Sequence, residues 1–238
     1  AGSVDPSDAA ASVASAAGDL SSKPQYYQGM VRFLAEHQDP PGKVEIPFTR
    51  DHWEATYVAE KVPLARGWDR QVDVSRNAVL YAPMSASAYE DWLHDNAVSY
   101  VAMSDAPLDE GGQAEAQILK HPPPWLQQVY ADAHWHIWKV VNATPLATGA
   151  ATLTKLTPNG FTLAATHTGA TTVRLRWSPY WHVDVGVACL AEAAGGWTTV
   201  VASQPGQLKV SAALSIGDDD TCTPAQLSDA GVPVTKEK

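Results

Sequence analysis

The chain has 238 residues, is 45% hydrophobic and 18% charged, and carries a formal net charge of −10. That length supports one large domain or two small ones, and the composition is that of a folding chain rather than a disordered one. Residues 1–143 hold 10 basic and 19 acidic side chains, a balance that repels phosphate backbones and excludes nucleic acid as a partner.

The chain opens AGSVDPSDAAASVASAAG, with Met30 as its first methionine. It has no charged n-region followed by an apolar core, so it reads as a piece of a longer protein or a processed one. Residues 1–22 hold almost no large apolar side chain and are expected to form a flexible linker. Ser22 and Pro24 then look like a helix start. Tyr27, Met30, Val31 and Leu34 follow at i, i+3, i+4 and i+7, one apolar stripe that Asp39-Pro40-Pro41-Gly42 ends. Lys43–Phe48 reads as a short strand, and Pro47 places it at an edge or a strand end.

Arg50–Glu60 allows a helical turn or two before Pro63. Leu64–Asp73 has no clear period and is expected to be a loop. Asn77–Tyr81 suits a brief strand or turn. Ser87-Ala88-Tyr89-Glu90 has the capping-box pattern, opening a helix with Tyr89, Trp92 and Leu93 on one face and its end at Asn96. Val98–Met103 is a short apolar run after that helix, as for a buried strand in an α/β layer. Gln113–Lys120 is expected to be helical, stopped by Pro122-Pro123-Pro124. His134–Val141 alternates like a strand.

Near Asn142 the pattern changes to period-two runs: Phe161/Leu163, Val173/Leu175/Trp177, Trp181/Val183/Val185/Val187 and Leu208/Val210/Ala212/Leu214. Pro158-Asn159-Gly160, His167-Thr168-Gly169, Gly195-Gly196 and Pro205-Gly206 separate them as turns. The expected class is α+β: a small α/β layer over 23–142, then an antiparallel, sandwich-like β unit of five to seven strands over 143–225, and a mobile tail over 226–238. No run of eighteen apolar residues spans a membrane.

Chemistry-bearing residues concentrate between Val44 and Asp73. Arg50, Asp51, His52, Trp53, Glu54, Arg66, Trp68 and Asp69 are the residue types of an acid/base or sugar-stacking site, and equally those of salt bridges in a polar loop. They are taken as a candidate recognition surface, and no catalytic residue is assigned. Tyr180 and Trp181, within Trp177-Ser178-Pro179-Tyr180-Trp181-His182, could stack on a sugar; plugging the end of a β-sandwich is the more frequent use of such a cluster. His134 and His136 have the i, i+2 spacing that puts two imidazoles on one strand face, but no third ligand is near, so no metal is assigned. Asp218-Asp219-Asp220 reads as a solvated acidic turn. No nucleophile elbow, phosphate loop or cofactor motif is present, and no cofactor is expected. Cys189 and Cys222 are either two buried thiols or one disulfide. The bridge is favoured, and it would place the chain outside the cytoplasm.

Several blocks carry a resemblance: VEIPFTRDHWEATYVAEKVPLARGWDRQVD, AYEDWLHDNAVSYVAMSDAPLD, DAHWHIWKVVNATPL and VRLRWSPYWHV. In this order they resemble the soluble C-terminal part of large actinobacterial integral membrane proteins grouped with YfhO-like and GT-C-type glycosyltransferases, which use polyprenyl-phosphate sugars. The resemblance spans roughly residues 24–215. It implies a domain on the extracytoplasmic face of the cytoplasmic membrane, partnered by the transmembrane part of its parent, with the parent's acidic catalytic residues in that helical part. The expectation is a non-catalytic envelope domain binding glycan or lipid-linked sugar, or bracing the membrane part. Two alternatives stand beside it. One is a secreted carbohydrate-active hydrolase using Glu45, Asp51, His52, Glu54 or Asp69; the other is a protein-interaction module.

Overall fold

The computed structural model describes residues 19–67, 70–212 and 220–233, with Arg70 described through its backbone alone. The fold is α+β, with helices and mixed and antiparallel sheets. Two compact units emerge: one from residues up to Gln38 with Lys43–Ala143, the other from Asp39–Gly42 and from Thr144 onward. Among the described residues no helix is long and apolar enough to cross a membrane.

The first unit is built on a four-stranded sheet. Its strands are β1 (Lys43–Glu45), β2 (Val98–Ser104), β3 (Leu126–Ala131) and β4 (Trp135–Val140), in the order β1-β2-β4-β3. The β1–β2 pair is parallel and the others antiparallel, so β1 lies at the edge, as Pro47 two residues beyond it implies. Strand alternation sends Val44, Tyr100, Ala102, Trp135 and Ile137 to one face, where Tyr27, Met30 and Leu34 of α1 (Gln25–Glu36) meet them. Trp135 is fully buried there, and its indole N–H donates to the Tyr26 carbonyl at 2.8 Å. That single donor has to be satisfied before so large an apolar body can be buried. Val101, Trp138 and Val140 face the other way, onto Tyr89, Trp92 and Leu93 of α4 (Ala86–Asp95) and Leu119 of α5 (Glu110–Leu119). Helices thus cover both faces of the sheet. α2 (Trp53–Tyr57) and α3 (Arg70–Arg76) complete the helical set of this unit.

Several sequence expectations need correction here. Leu64–Asp73 is not a continuous loop, because α3 begins at Arg70. Its inward-facing residue is a carboxylate, Asp73, 3% exposed, so no apolar period announces it. Of the strand or turn expected over Asn77–Tyr81, the structure has the turn, a 3₁₀ one over Ala78–Tyr81. α4 is capped by Ser85, whose Oγ accepts from the Ala88 N–H at 3.1 Å; the Ser87–Glu90 pattern falls inside the helix. β3 has no sequence signature, since Gln127, Gln128 and Val129 are all exposed on an edge strand. The expected linker over 1–22 meets a 3₁₀ turn at Leu20–Ser22, capped by Asp19; residues 1–18 lie outside the described residues.

The second unit is a pair of antiparallel sheets. β5 (Ala147–Gly149), β8 (Gly169–Arg176), β10 (Ala188–Ala193) and β11 (Trp197–Ala202) form one, in the order β10-β11-β8-β5. β6 (Ala151–Thr157), β7 (Gly160–Ala165), β9 (Trp181–Val185) and β12 (Gly206–Ala212) form the other, in the order β6-β7-β12-β9. Phe161, Leu163, Leu208 and Val210 from one sheet share a core with Val173, Leu190 and Val200 from the other, the arrangement of a sandwich. All four turn signals sit at strand junctions, with Gly160, Gly169 and Gly206 opening β7, β8 and β12. The strands missed in the sequence, such as β10 and β11, are rich in Ala and Thr, which carry little hydropathy contrast.

Cys189 and Cys222 form a disulfide, with their Cα atoms 4.8 Å apart. It ties β10 to a segment that also pairs through backbone: Leu190 N–H donates to Asp220 O at 2.7 Å and Cys222 N–H to Leu190 O at 2.9 Å. Where a mobile tail was expected from Gln226, α6 (Pro224–Asp229) follows, with a reciprocal Thr223–Gln226 capping box. Leu227 packs against the disulfide and so holds the helix in place.

Candidate functional site

Arg66 is the centre of the Val44–Asp73 stretch, and it is inside the protein. Its Nη2 donates to Glu115 Oε2 at 2.9 Å and its Nη1 to the Gly111 carbonyl at 3.1 Å. Nη1 also lies 3.5 Å from Asp73 Oδ2, and Nε lies 2.9 Å from Glu45 Oε1. The guanidinium sits 3.9 Å from the centre of the Phe48 ring. Tyr89 donates to Glu115 at 2.9 Å, Tyr81 to Asp73 at 2.7 Å, and Asn77 to Asp73 at 2.9 Å. Arg66 Nε and Glu45 Oε1 face each other without a hydrogen bond of good angle between them.

One cation facing three buried carboxylates cannot leave all three ionised. Burial pushes the Glu45 carboxyl well above the ordinary 4.5, Arg66 opposes the shift, and the charges of Glu115 and Asp73 add to it. Burial likewise raises Glu115, against the pull of Arg66 and Tyr89. The network joins β1, α3, α4 and α5, and it is a structural clamp.

His52 sits at the start of α2 with φ 52° and ψ 30°, a left-handed conformation uncommon for a residue with a Cβ. Its Nε2 lies 3.2 Å from Asp109 Oδ2 and its Nδ1 3.7 Å from Glu54 Oε1. Glu54 is committed elsewhere: it accepts from the Thr49 N–H at 3.1 Å and from the Thr49 hydroxyl at 2.6 Å. Backbone bonds from Asp109 N–H to Phe48 O and from Arg50 N–H to Pro107 O, both 2.8 Å, clasp the same segment to the start of α5. Trp53 stacks on Tyr57 with ring centres 5.9 Å apart and lies half-buried on the core. Arg50 and Asp51 are exposed. Trp68 and Asp69 lie outside the described residues. The structure therefore splits the expected recognition surface between a buried clamp around Arg66 and a strained clasp around His52. It leaves Glu45, Glu54 and Arg66 with no exposed face.

In the β unit, Trp181 packs against Phe161 with ring centres 5.6 Å apart, and its indole donates to the Arg176 carbonyl at 3.0 Å. Trp181 thus closes part of the sandwich, while Tyr180 is exposed. His182 pairs with Asp220, whose carboxylate also accepts from the Val183 N–H at 3.0 Å. Asp218 and Asp219 lie outside the described residues. Among the described residues no group of three or more His, Cys, Asp or Glu could hold a metal.

A site that the sequence did not single out opens between the sheet of the first unit and the end of α5. It is a cleft of about 390 Å³ lined by Asp105, Lys120, Gln128, His134, His136 and Trp138 among others. Sequence spacing drew attention to His134 and His136 as a pair, and both do border this one cleft. Asp132 in the β3–β4 turn accepts the His134 and Trp135 N–H groups, each at 2.8 Å, and fixes where His134 leaves the turn. Burial would raise Asp132, but the Tyr130 hydroxyl and these two N–H groups hold it below the ordinary value. Tyr130 itself is pushed up to about 12, by burial and then by Asp132.

Asp105 is held from two sides. The Tyr26 hydroxyl donates to Oδ1, and His134 Nδ1 lies 2.9 Å from Oδ2. Burial would raise Asp105, but these donors keep it below the ordinary carboxylate value. The Tyr26 hydroxyl is pushed up in turn, first by burial and then by Asp105. The His136 ring stacks beside Trp138, centres 5.9 Å apart, and forms an aromatic wall. Such a cleft offers flat apolar surface and convergent polar groups together, which is what a hydroxylated ring needs. Lys120, Gln128 and Asp105 come from three separate elements, so no local motif could have announced the site.

No known protein family, no curated relative and no solved structure matches the chain.

Proposed function

We propose that this chain is a non-catalytic, extracytoplasmic domain of a membrane-embedded, glycosyltransferase-like envelope protein, and that its α/β unit binds saccharide. The observation that carries the binding half is the cleft, where the His136–Trp138 wall and the polar Asp105, Gln128 and Lys120 border one opening. Its volume falls within the usual range for small-molecule sites, roughly 300–1,000 Å³. The Cys189–Cys222 bridge is compatible with an oxidising compartment. The four residue blocks described above support the membrane-protein context, and the transmembrane part of the parent is then the second partner of the domain.

The hydrolase reading has less support. Glu45 and Glu54 are 1% and 2% exposed. One belongs to the Arg66 clamp and the other to Thr49, so neither is placed to meet a glycosidic bond.

Titration with mono- and oligosaccharides, followed by tryptophan fluorescence, tests the binding half. A saturable change that His136→Ala abolishes is expected; no response to any neutral or charged sugar would remove this half. The open reading frame tests the membrane half. Multiple hydrophobic spans before Ala1 are expected, and a signal peptide alone would favour a secreted protein.

A further inference from the structure

We infer that β3 is a self-association edge, along which a second copy of this chain adds an antiparallel strand. A strand at the border of a sheet presents a row of unpaired N–H and C=O groups. Folded proteins guard such a row with a charge, a proline, a covering segment or extreme shortness. Among the described residues the three sheets have six borders, and five are guarded in one of these ways. β1 is covered by the chain beyond it: Val44 N–H donates to Pro63 O at 2.8 Å, and Ala65 N–H to Val44 O at 2.9 Å. β10 is covered by residues 220–222 through the backbone bonds given above. In β9 the Val183 N–H is taken by the Asp220 carboxylate at 3.0 Å. β6 carries the exposed Lys155, and β5 has only three residues.

β3 has none of these guards. It runs for six residues, Leu-Gln-Gln-Val-Tyr-Ala, with no charge and no proline. Among the described residues β4 is its one strand neighbour. Gln127, Gln128, Val129 and Ala131 are exposed, Val129 to 38%. A bulge sets Val129 apart from β4, but pairing resumes at Tyr130–Ile137 and Ala131–His136, so the border keeps its length.

Charge decides the occupant. A charged peptide would find no counter-charge on this strand, whereas an identical strand is its complement. The chain carries a net −10, so two copies need a neutral place to meet, and β3 is neutral throughout. Antiparallel pairing about a two-fold axis at Val129 sets Val129 against Val129, Gln127 against Ala131 and Gln128 against Tyr130. The first carboxylate past the strand is Asp132. Its two copies then stand about 20 Å apart at a rise of ~3.4 Å per residue, well beyond a Debye length of about 8 Å. The axis is perpendicular to the sheet and joins two four-stranded sheets into one. Gln128 lines the cleft, so the clefts of both copies open on the same side of the joined sheet.

One strand pair buries less than the roughly 1,600 Å² of a standard interface, so the dimer is weak and is sought up to about 1 mM. Sedimentation velocity of the intact chain over a concentration series should show a monomer passing into a dimer. Val129→Lys should weaken that association about tenfold or more, because it sets two ammonium groups across the axis, and Val129→Glu should do the same with two carboxylates. An equal mixture of the two variants should regain association, since Lys then meets Glu. Val129 is exposed, so neither change threatens folding. Backbone hydrogen exchange over residues 127–131 should slow as the dimer forms. A chain that stays monomeric at about 1 mM overturns the inference, and so does a dimer that both variants leave intact. A mixture that fails to associate overturns the pairing at Val129. Slow exchange over 127–131 in the dilute monomer also overturns it, and assigns the edge to another segment of this chain. None of these outcomes bears on the saccharide reading, which is tested separately.

Discussion

Arg66 Nε lies 2.9 Å from Glu45 Oε1, with each side chain 1% exposed. The pair crosses from the loop before α3 to the edge strand of the sheet, and it belongs to a network in which one cation answers three carboxylates. Removing that cation leaves buried charge without compensation. Arg66→Met should therefore cost about 3–5 kcal/mol, read as a lower midpoint in urea unfolding followed by far-UV circular dichroism. A loss below about 1 kcal/mol would show that the carboxyls neutralise at no cost, against the assignment of the clamp.

Glu45 gives the same clamp a pH signature. Its carboxyl is raised in the folded state by burial, against Arg66, so the folded chain holds a proton that the unfolded chain releases. Linkage then makes stability fall as pH rises. The contribution is complete below the ordinary value of 4.5 and is lost as pH climbs toward the raised value of the folded state. Glu115 acts in the same direction. Glu45→Gln keeps the shape and removes the titration. It should flatten the decline in stability as pH rises above about 4.5. Denaturation series of both proteins across that range would show it, and parallel curves would refute it.

Gly112 lies within α5, where replacing glycine by alanine ordinarily stabilises by about 1 kcal/mol. Here the sign should reverse. A Cβ at this position would stand 2.6 Å from the Phe48 carbonyl oxygen and 2.8 Å from the Phe48 nitrogen, both backbone atoms. The helix approaches the chain beyond β1 this closely because Gly112 has no side chain. Gly112→Ala should lower the unfolding midpoint, and a rise would mean that the approach is looser than described.

The Cys189–Cys222 bridge has a sequence separation of 33. Loop-closure entropy assigns it about 3–4 kcal/mol, chiefly by restricting the unfolded chain. Reduction, or Cys189→Ala with Cys222→Ala, should destabilise the β unit by that order and free α6, whose Leu227 rests on the bridge. Hydrogen exchange over residues 220–233 is expected to rise sharply, while exchange in β2 and β4 stays unchanged. Equal protection with and without the bridge would show that backbone pairing alone holds this segment.

The sequence alone determined what short-range chemistry controls. Tyr27, Met30 and Leu34 specify α1 because helical period and burial coincide there. Val98–Met103 specifies β2 because a strand buried on both faces is continuously apolar. The four glycine-bearing turns specify the rhythm of the β unit, since turn chemistry is local. α3 escaped notice because its buried residue is Asp73, and a carboxylate becomes an inward-facing residue only once Arg66 is known to meet it. β3 escaped because an edge strand is free to be polar.

The same limit governs the site. The charge-rich Val44–Asp73 stretch looked like a surface in one dimension. The fold turned Glu45, Glu54 and Arg66 inward, because elements far apart in the chain supplied the counter-charges and donors that make their burial tolerable. The cleft is the converse case. Asp105, Lys120, Gln128 and His136 are unremarkable one by one, and only the pairing of β2, β3 and β4 beside the end of α5 brings them to one opening.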